Sequence, residues 1–291
     1  MSETLLILGA GFSGLAIARA ARRAGWRVYG TTRSPERFDE LKAAGAEPLV
    51  FDGEEWNTSL TEALSKATYL VASIAPGRSG DPAINTGRAA LVAAPRLQWI
   101  GYLSTVGVYG DRSGGWVDET SEPRPASKRS IDRLAAEIAW TALAVARETP
   151  IATLRLSGIF GPGRNALANL AEGTAKRVVK PGQVFNRIHV DDIAEATLFL
   201  AKKRAGGIYN VTDSEPAPPQ DVVAFAAGLM GAEAPPEIPF SDAGLSEMGR
   251  SFYAENKRVS NRKLTSQGYR FRHPDYRAAL SAMWANGSWR G

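Results

Sequence analysis

The chain has 291 residues, a formal net charge of +5, no cysteine and two histidines, His189 and His273. That inventory excludes disulfides, thiolate metal ligands and a cysteine nucleophile, and no metal site is expected. The Lys and Arg residues are scattered, and their densest runs (19–27 and 202–204) fall at helix ends or on polar faces, so nucleic acid is not an expected partner.

Residues 4–8 read as a short apolar strand. The run is too short to span a membrane and passes straight into a glycine turn, so it reads as a strand and not as a signal peptide. No membrane association and a cytoplasmic location are expected. The turn is Gly9-Ala10-Gly11-Phe12-Ser13-Gly14, and a helix follows at 15–23. Strand, glycine turn and helix form the context in which G-x-G-x-x-G binds a dinucleotide. Gly9 lets the chain turn sharply, Gly11 lets a pyrophosphate approach the backbone, and Gly14 lets the helix pack closely on the sheet. Phe12 and Ser13 stand at the helix start, whose amides and positive dipole end attract phosphates.

The second strand is predicted at 27–32, a helix at 35–44 with a stop at Gly45, and the third strand at 48–52. A helix at 60–66 and a fourth strand at 68–74 follow. A loop at 75–82 leads to a helix at 84–93, a fifth strand at 97–103, a long helix at about 127–148 and a sixth strand at 151–156. This alternation predicts an α/β fold with a Rossmann-type, doubly wound parallel sheet. Beyond residue 157 glycines and prolines become frequent. A helix at 191–203, a strand at 207–211 and a helix at 221–230 are separated by proline-rich breaks. Residues 1–157 read as an NAD(P)-binding domain, and 158–291 as a smaller substrate-covering region interleaved with it.

An acidic residue closing the second strand would favour NAD. The chain instead offers Thr32-Arg33-Ser34. Arg33 can pair with a 2′-phosphate, with hydroxyl donors from Thr32 and Ser34, which favours NADP over NAD; a solvent-facing arginine is the other reading. Asp52 either accepts from the adenine amino group or forms a turn before Gly53. Ser73 and Ala75, after the fourth strand, would line the ribose side of the cofactor.

Five later segments, 103–110, 116–120, 154–164, 187–194 and 207–211, together resemble the short-chain dehydrogenase/reductase superfamily, in particular its extended branch of sugar-nucleotide epimerases and dehydratases. The resemblance implies a Tyr-x-x-x-Lys pair and a Ser or Thr that orients the substrate oxygen. By position the Ser/Thr is Thr105. Reading back from Ala136-Glu137, the lysine position holds Arg133 and the tyrosine position holds Arg129. An arginine is protonated at any working pH, so Arg129 cannot replace the phenol as acid or base. Arg133 can still bind ribose or phosphate, and Arg129 is left facing the substrate. Tyr109 is either a substitute acid or a packed aromatic. The chain is thus similar to atypical members that keep the cofactor fold and lose the usual catalytic pair. Arg164, after a Gly-Pro-Gly turn, would hold a substrate phosphate or carboxylate, or is a surface arginine. His189 would face the substrate cleft, or pack there with its ring hydrogen-bonded to the next helix, where Asp191 looks like the N-cap.

Two functions follow. The first is an NADP(H)-dependent oxidoreductase, epimerase or dehydratase-like enzyme acting on a polar, sugar-nucleotide-like small molecule. The second is a non-enzymatic NADP(H)-binding redox sensor. A homodimer is left open.

Overall fold

The computed structural model describes residues 3–291. β1 (Thr4–Leu8) is buried along its whole length, as befits an apolar strand covered on both faces. The chain continues through α1 (Phe12–Arg23), β2 (Arg27–Thr32), α2 (Phe38–Ala43), β3 (Glu47–Val50), α3 (Thr58–Lys66), β4 (Tyr69–Ala72), α4 (Pro82–Ala93) and β5 (Trp99–Thr105). Then come β6 (Trp116–Val117), α5 (Lys128–Ala146), β7 (Ile151–Leu156), β8 (Gly158–Phe160), α6 (Ala166–Ala171), β9 (Arg177–Val179), β10 (Arg187–His189), α7 (Val190–Lys203) and β11 (Gly207–Val211). The last elements are α8 (Pro219–Leu229), β12 (Glu237–Pro239), α9 (Glu247–Tyr253), β13 (Arg258–Val259), α10 (Arg262–Ser266) and α11 (Tyr276–Ala285).

Seven strands form one sheet in the order β11-β7-β5-β4-β1-β2-β3. β1 pairs in parallel with β2 and β4, β2 with β3, and β4 with β5. The strand order reverses between β1 and β4, which is the switch point where open parallel sheets hold ligands. The doubly wound α/β expectation is met. The helix expected at 35–44 divides, because Ser34 caps a 3-10 turn at Pro35–Arg37 before α2 begins.

The chain forms two compact units. One holds the residues up to 108 together with 128–155 and 193–209; the other holds 109–127, 156–192 and 210–291. In the first, Leu6, Leu64, Leu70, Ile100 and Trp140 belong to one buried cluster, and each such side chain contributes about 1.5–3 kcal/mol. The indoles of Trp99 and Trp140 donate to Ala205 O at 2.8 Å and Asp81 Oδ2 at 2.9 Å, which satisfies their one polar atom in the core. α5 buries Ala136, Trp140 and Leu143 and leaves Ile131, Ile138 and Val145 on its exposed side. In the second unit, Leu167, Tyr276, Leu280, Met283 and Trp289 form a separate core. Three short parallel ladders accompany it: β8 with β10, β9 with β12, and β6 with β13. Among the described residues no helix is long and apolar enough to cross a membrane.

Candidate functional site

The glycine turn is held by its neighbours in the sheet. Gly9 has φ +89°, a conformation that favours glycine. Its N–H donates to Thr31 Oγ1 at 2.8 Å, and Ala10 N–H donates to Thr31 O at 2.8 Å. Thr31 therefore fixes the turn, a role no local pattern announced. A Cβ on Gly9 would stand 2.9 Å from Ile74 Cγ1, and one on Gly14 would stand 2.8 Å from Gly9 O. A Cβ on Gly11 would meet nothing within 4 Å. Gly11 is the N-cap of α1, no side chain caps the helix, and its first turn has no acidic residue while Arg22 and Arg23 end it. First-turn amides and the positive helix end thus adjoin open space, and this suits a pyrophosphate. Ser13 and Gly14 are buried and Phe12 is half-buried at that helix start.

The residues expected at the cofactor's outer end are partly engaged in local turns. Thr32 Oγ1 lies 3.3 Å from Ser34 O and 3.4 Å from Ser34 N, and Ser34 Oγ accepts from Glu36 N–H at 3.4 Å. Arg33 is exposed beside them. Asp52 is exposed and its Oδ1 accepts from Glu54 N–H at 2.9 Å, which is the turn reading of that residue. Ser73 N–H donates to Leu8 O at 2.8 Å, which ties the end of β4 to β1, and Ala75 is exposed beyond it.

Arg133 reaches from α5 to the carboxyl ends of β4 and β5. Its Nη1 lies 2.9 Å from Leu103 O, 3.2 Å from Tyr102 Oη and 3.4 Å from Ile74 O. The guanidinium is held on the same Ile74 that packs against Gly9. Thr105 Oγ1, at the end of β5, accepts from Gly107 N–H at 3.1 Å. Arg129 is exposed at the start of α5. Below Arg133, Arg155 Nε and Nη2 donate to Glu137 at 3.1 and 2.7 Å, and Ser104 Oγ also donates to Glu137. All three residues are buried. This cluster went unforeseen, although a charged residue in each of two apolar runs was its signal.

The second unit holds the other expected residues. Tyr109 is fully buried and its hydroxyl donates to Asn210 Oδ1 at 2.8 Å. It is a packed aromatic with a satisfied hydroxyl, and the expectation of a substitute acid is corrected on that ground. Arg164 is exposed, in a backbone pairing with Gly161. His189 is buried, and its Nδ1 accepts from Asp191 N–H at 3.2 Å. The ring caps α7 itself, so Asp191 is a first-turn residue and not the N-cap. Burial first, and the neighbouring His273 second, push the His189 ring down to about 4.

Asp213 follows β11 and is buried; its Oδ1 accepts from Glu215 N–H at 3.2 Å and its Oδ2 has no hydrogen-bond partner. Burial pushes its carboxyl up to about 8 against the pull of Arg187. An unfolded Asp ionises near ~3.9. The unfolded chain therefore binds fewer protons between about pH 4 and 8, and stability falls as pH rises through that window. Asp213→Asn is expected to exceed wild type in stability by up to about 5 kcal/mol at pH 8, with the gap closing towards pH 4. Thermal melts across the range check this, and equal stability at pH 8 would refute it.

The chain matches the model of the NAD dependent epimerase/dehydratase family over residues 5–212. Protein YeeZ of Escherichia coli strain K12 is 29% identical, over 94% of this chain and 97% of its own length. A conserved protein of unknown function from Silicibacter pomeroyi DSS, of solved structure, is 42% identical with a TM-score of 0.89, covering 98% of this chain and 99% of that one. UDP-glucose 4-epimerase of Thermus thermophilus, solved in complex with NAD, has a TM-score of 0.74 at 21% identity, covering 97% of this chain and 98% of that one, which is a likeness of fold.

Proposed function

Because the chain belongs to the NAD dependent epimerase/dehydratase family, as an atypical short-chain dehydrogenase/reductase without the Tyr-x-x-x-Lys pair, we propose that it binds NADP(H) at the glycine turn and acts on a polar, sugar-nucleotide-like metabolite. The observation that carries this reading is the uncapped start of α1 beside the open space at Gly11. The cofactor supplies hydride chemistry when bound. The chain's own residues bind and orient. Gly9 to Gly14 hold the pyrophosphate, Arg33 with Thr32 and Ser34 meets the 2′-phosphate, Arg133 adjoins the ribose, and Thr105 orients the substrate oxygen.

Arg33 tests the choice of cofactor. Two charge-assisted hydrogen bonds to a phosphate are worth about 1.5–3 kcal/mol, or roughly 10- to 100-fold in affinity. Arg33→Ala should lose that much NADPH affinity and leave NADH binding unchanged. Equal losses for both cofactors would remove the 2′-phosphate assignment.

The second reading, a redox sensor, draws on two observations. Arginine stands at both positions of the usual pair, and the phenol of Tyr109 is committed to Asn210. Turnover of NADPH with sugar nucleotides, lost in Thr105→Val, would favour the enzyme. Tight NADPH binding without turnover on any of them would favour the sensor.

A further inference from the structure

We propose that the second unit carries a site for one divalent transition cation of borderline softness, Zn2+ or a close analogue, held by His189, Asp191 and His273. The three donor atoms lie within 4.8 Å of one another. His189 Nδ1 stands 3.9 Å from Asp191 Oδ2. Nδ1 accepts the Asp191 N–H, so it carries its lone pair and not a proton, and a cation would take that lone pair in place of the N–H. The ring of His273 lies 4.0 Å from that of His189, centroid to centroid, with 49° between their planes. It brings a third donor to the same place. With metal–ligand bonds of about 2.0–2.2 Å, tetrahedral donors stand roughly 3.3 Å apart. The set must close by up to roughly 1.5 Å, shared between rotation of the half-buried Asp191 side chain and adjustment of the two rings.

The donors are positioned before any cation arrives. Asp192, fully buried, accepts the backbone N–H groups of Arg272 and His273 at 2.7 and 2.9 Å and the hydroxyl of Tyr269 at 3.0 Å. Ser214 N–H donates to Pro274 O at 2.8 Å. The segment that carries His273 is thereby fastened to the start of α7. A cavity of about 200 Å³ adjoins the donors and is lined also by Arg272, Asn286 and Ser288. It leaves room for water at a remaining coordination position. Two imidazoles and one carboxylate suit Zn2+, Ni2+, Cu2+ or Fe2+ and not Mg2+ or Ca2+, which prefer oxygen ligands. Arg272 Nη1, 3.7 Å from Asp191 Oδ2, is the competing cation, and its side chain is 67% exposed and able to swing away. The count of two histidines argued against a metal in the sequence, but the fold sets the two rings side by side.

The test uses untagged, EDTA-stripped full-length protein titrated with Zn2+, and with Co2+ as a spectroscopic probe. One equivalent should bind, Co2+ should develop the visible bands of a four- or five-coordinate site, and Mg2+ should not compete. At free Zn2+ of about 100 Kd the thermal midpoint should rise by roughly 5–10 °C. Asp191→Asn and His273→Gln should each weaken binding about tenfold or more, while Arg272→Gln should tighten it. Asp191 and Arg272 reach the surface, so their variants keep the test readable even where a His273 variant folds poorly. Absence of stoichiometric uptake, or uptake indifferent to both Asp191→Asn and Arg272→Gln, overturns the site. Neither result depends on NADP(H) binding.

Discussion

Glu137→Ala is expected to destabilise the first unit by about 3–5 kcal/mol, the usual cost of stranding one partner of a buried ion pair. The side chains of Arg155 and Glu137 are 2% and 6% exposed. The guanidinium makes two bonds to the carboxylate, and Ser104 adds a third. Alanine leaves the Arg155 charge inside the sheet–helix layer with no carboxylate to meet it. The surface pair Lys42–Asp39, 61% and 97% exposed, offers the contrast, since such pairs contribute about 0–1 kcal/mol. Removing both buried charges together, as Glu137→Leu with Arg155→Met, should recover most of the loss, because a well-packed apolar pair replaces a desolvated one at little net cost. Urea denaturation of the three proteins measures this. A loss below about 1 kcal/mol for Glu137→Ala would mean that water reaches the pair.

The same pair explains what the sequence could and could not convey. Ala136-Glu137 and the 154–164 segment were legible as landmarks, and their order located Arg129 and Arg133. That the landmarks bind each other was not legible, because periodicity reports one element at a time and Glu137 and Arg155 lie on different ones. β1, the turn and α1 were readable for the opposite reason. An apolar run, three glycines at fixed spacing and an amphipathic helix are local signals. Thr31 reaches Gly9 across the sheet, so no window around Gly9 contains it.

The second unit was the harder part to read for a related reason. Its ladders are two or three residues long, and their partners lie far along the chain. Trp116–Val117 pairs with Arg258–Val259, for example. Strands that short carry no alternation to detect. Tyr109 sits in an apolar stretch with Val106 and Val108, both buried, a context that favours a core aromatic over an acid. His189 was placed at a strand end correctly, but its ring, not Asp191, caps α7. That the ring bonds the start of the next helix was legible; that it accepts the Asp191 N–H and so takes the cap position from Asp191 needs the ring's rotamer, which the sequence does not specify.

Gly11→Val is expected to fold like wild type and to bind NADP(H) about 100-fold more weakly, whereas Gly14→Val is expected to damage the fold. The two glycines differ in what surrounds them and in backbone, Gly14 lying within α1 and Gly11 being its N-cap. At Gly14 a Cβ would lie 2.8 Å from Gly9 O and 3.3 Å from Ile7 Cγ2, so the helix must move off β1, at about 1–3 kcal/mol for overpacking. At Gly11 the backbone is extended, with φ −83° and ψ −157°, and a Cβ meets nothing. A side chain there costs the apo protein little and fills the space above the uncapped α1, where a pyrophosphate would sit. Cofactor titration and denaturation on each variant separate the two effects. Wild-type affinity in Gly11→Val would show that the open space is not the phosphate cradle, and the NADP(H) assignment would lose its main support. Equal destabilisation by both substitutions would mean that Gly11 serves packing, as Gly14 does. Loss of affinity alone at Gly11 is the outcome that ties the turn to a ligand and not merely to the fold.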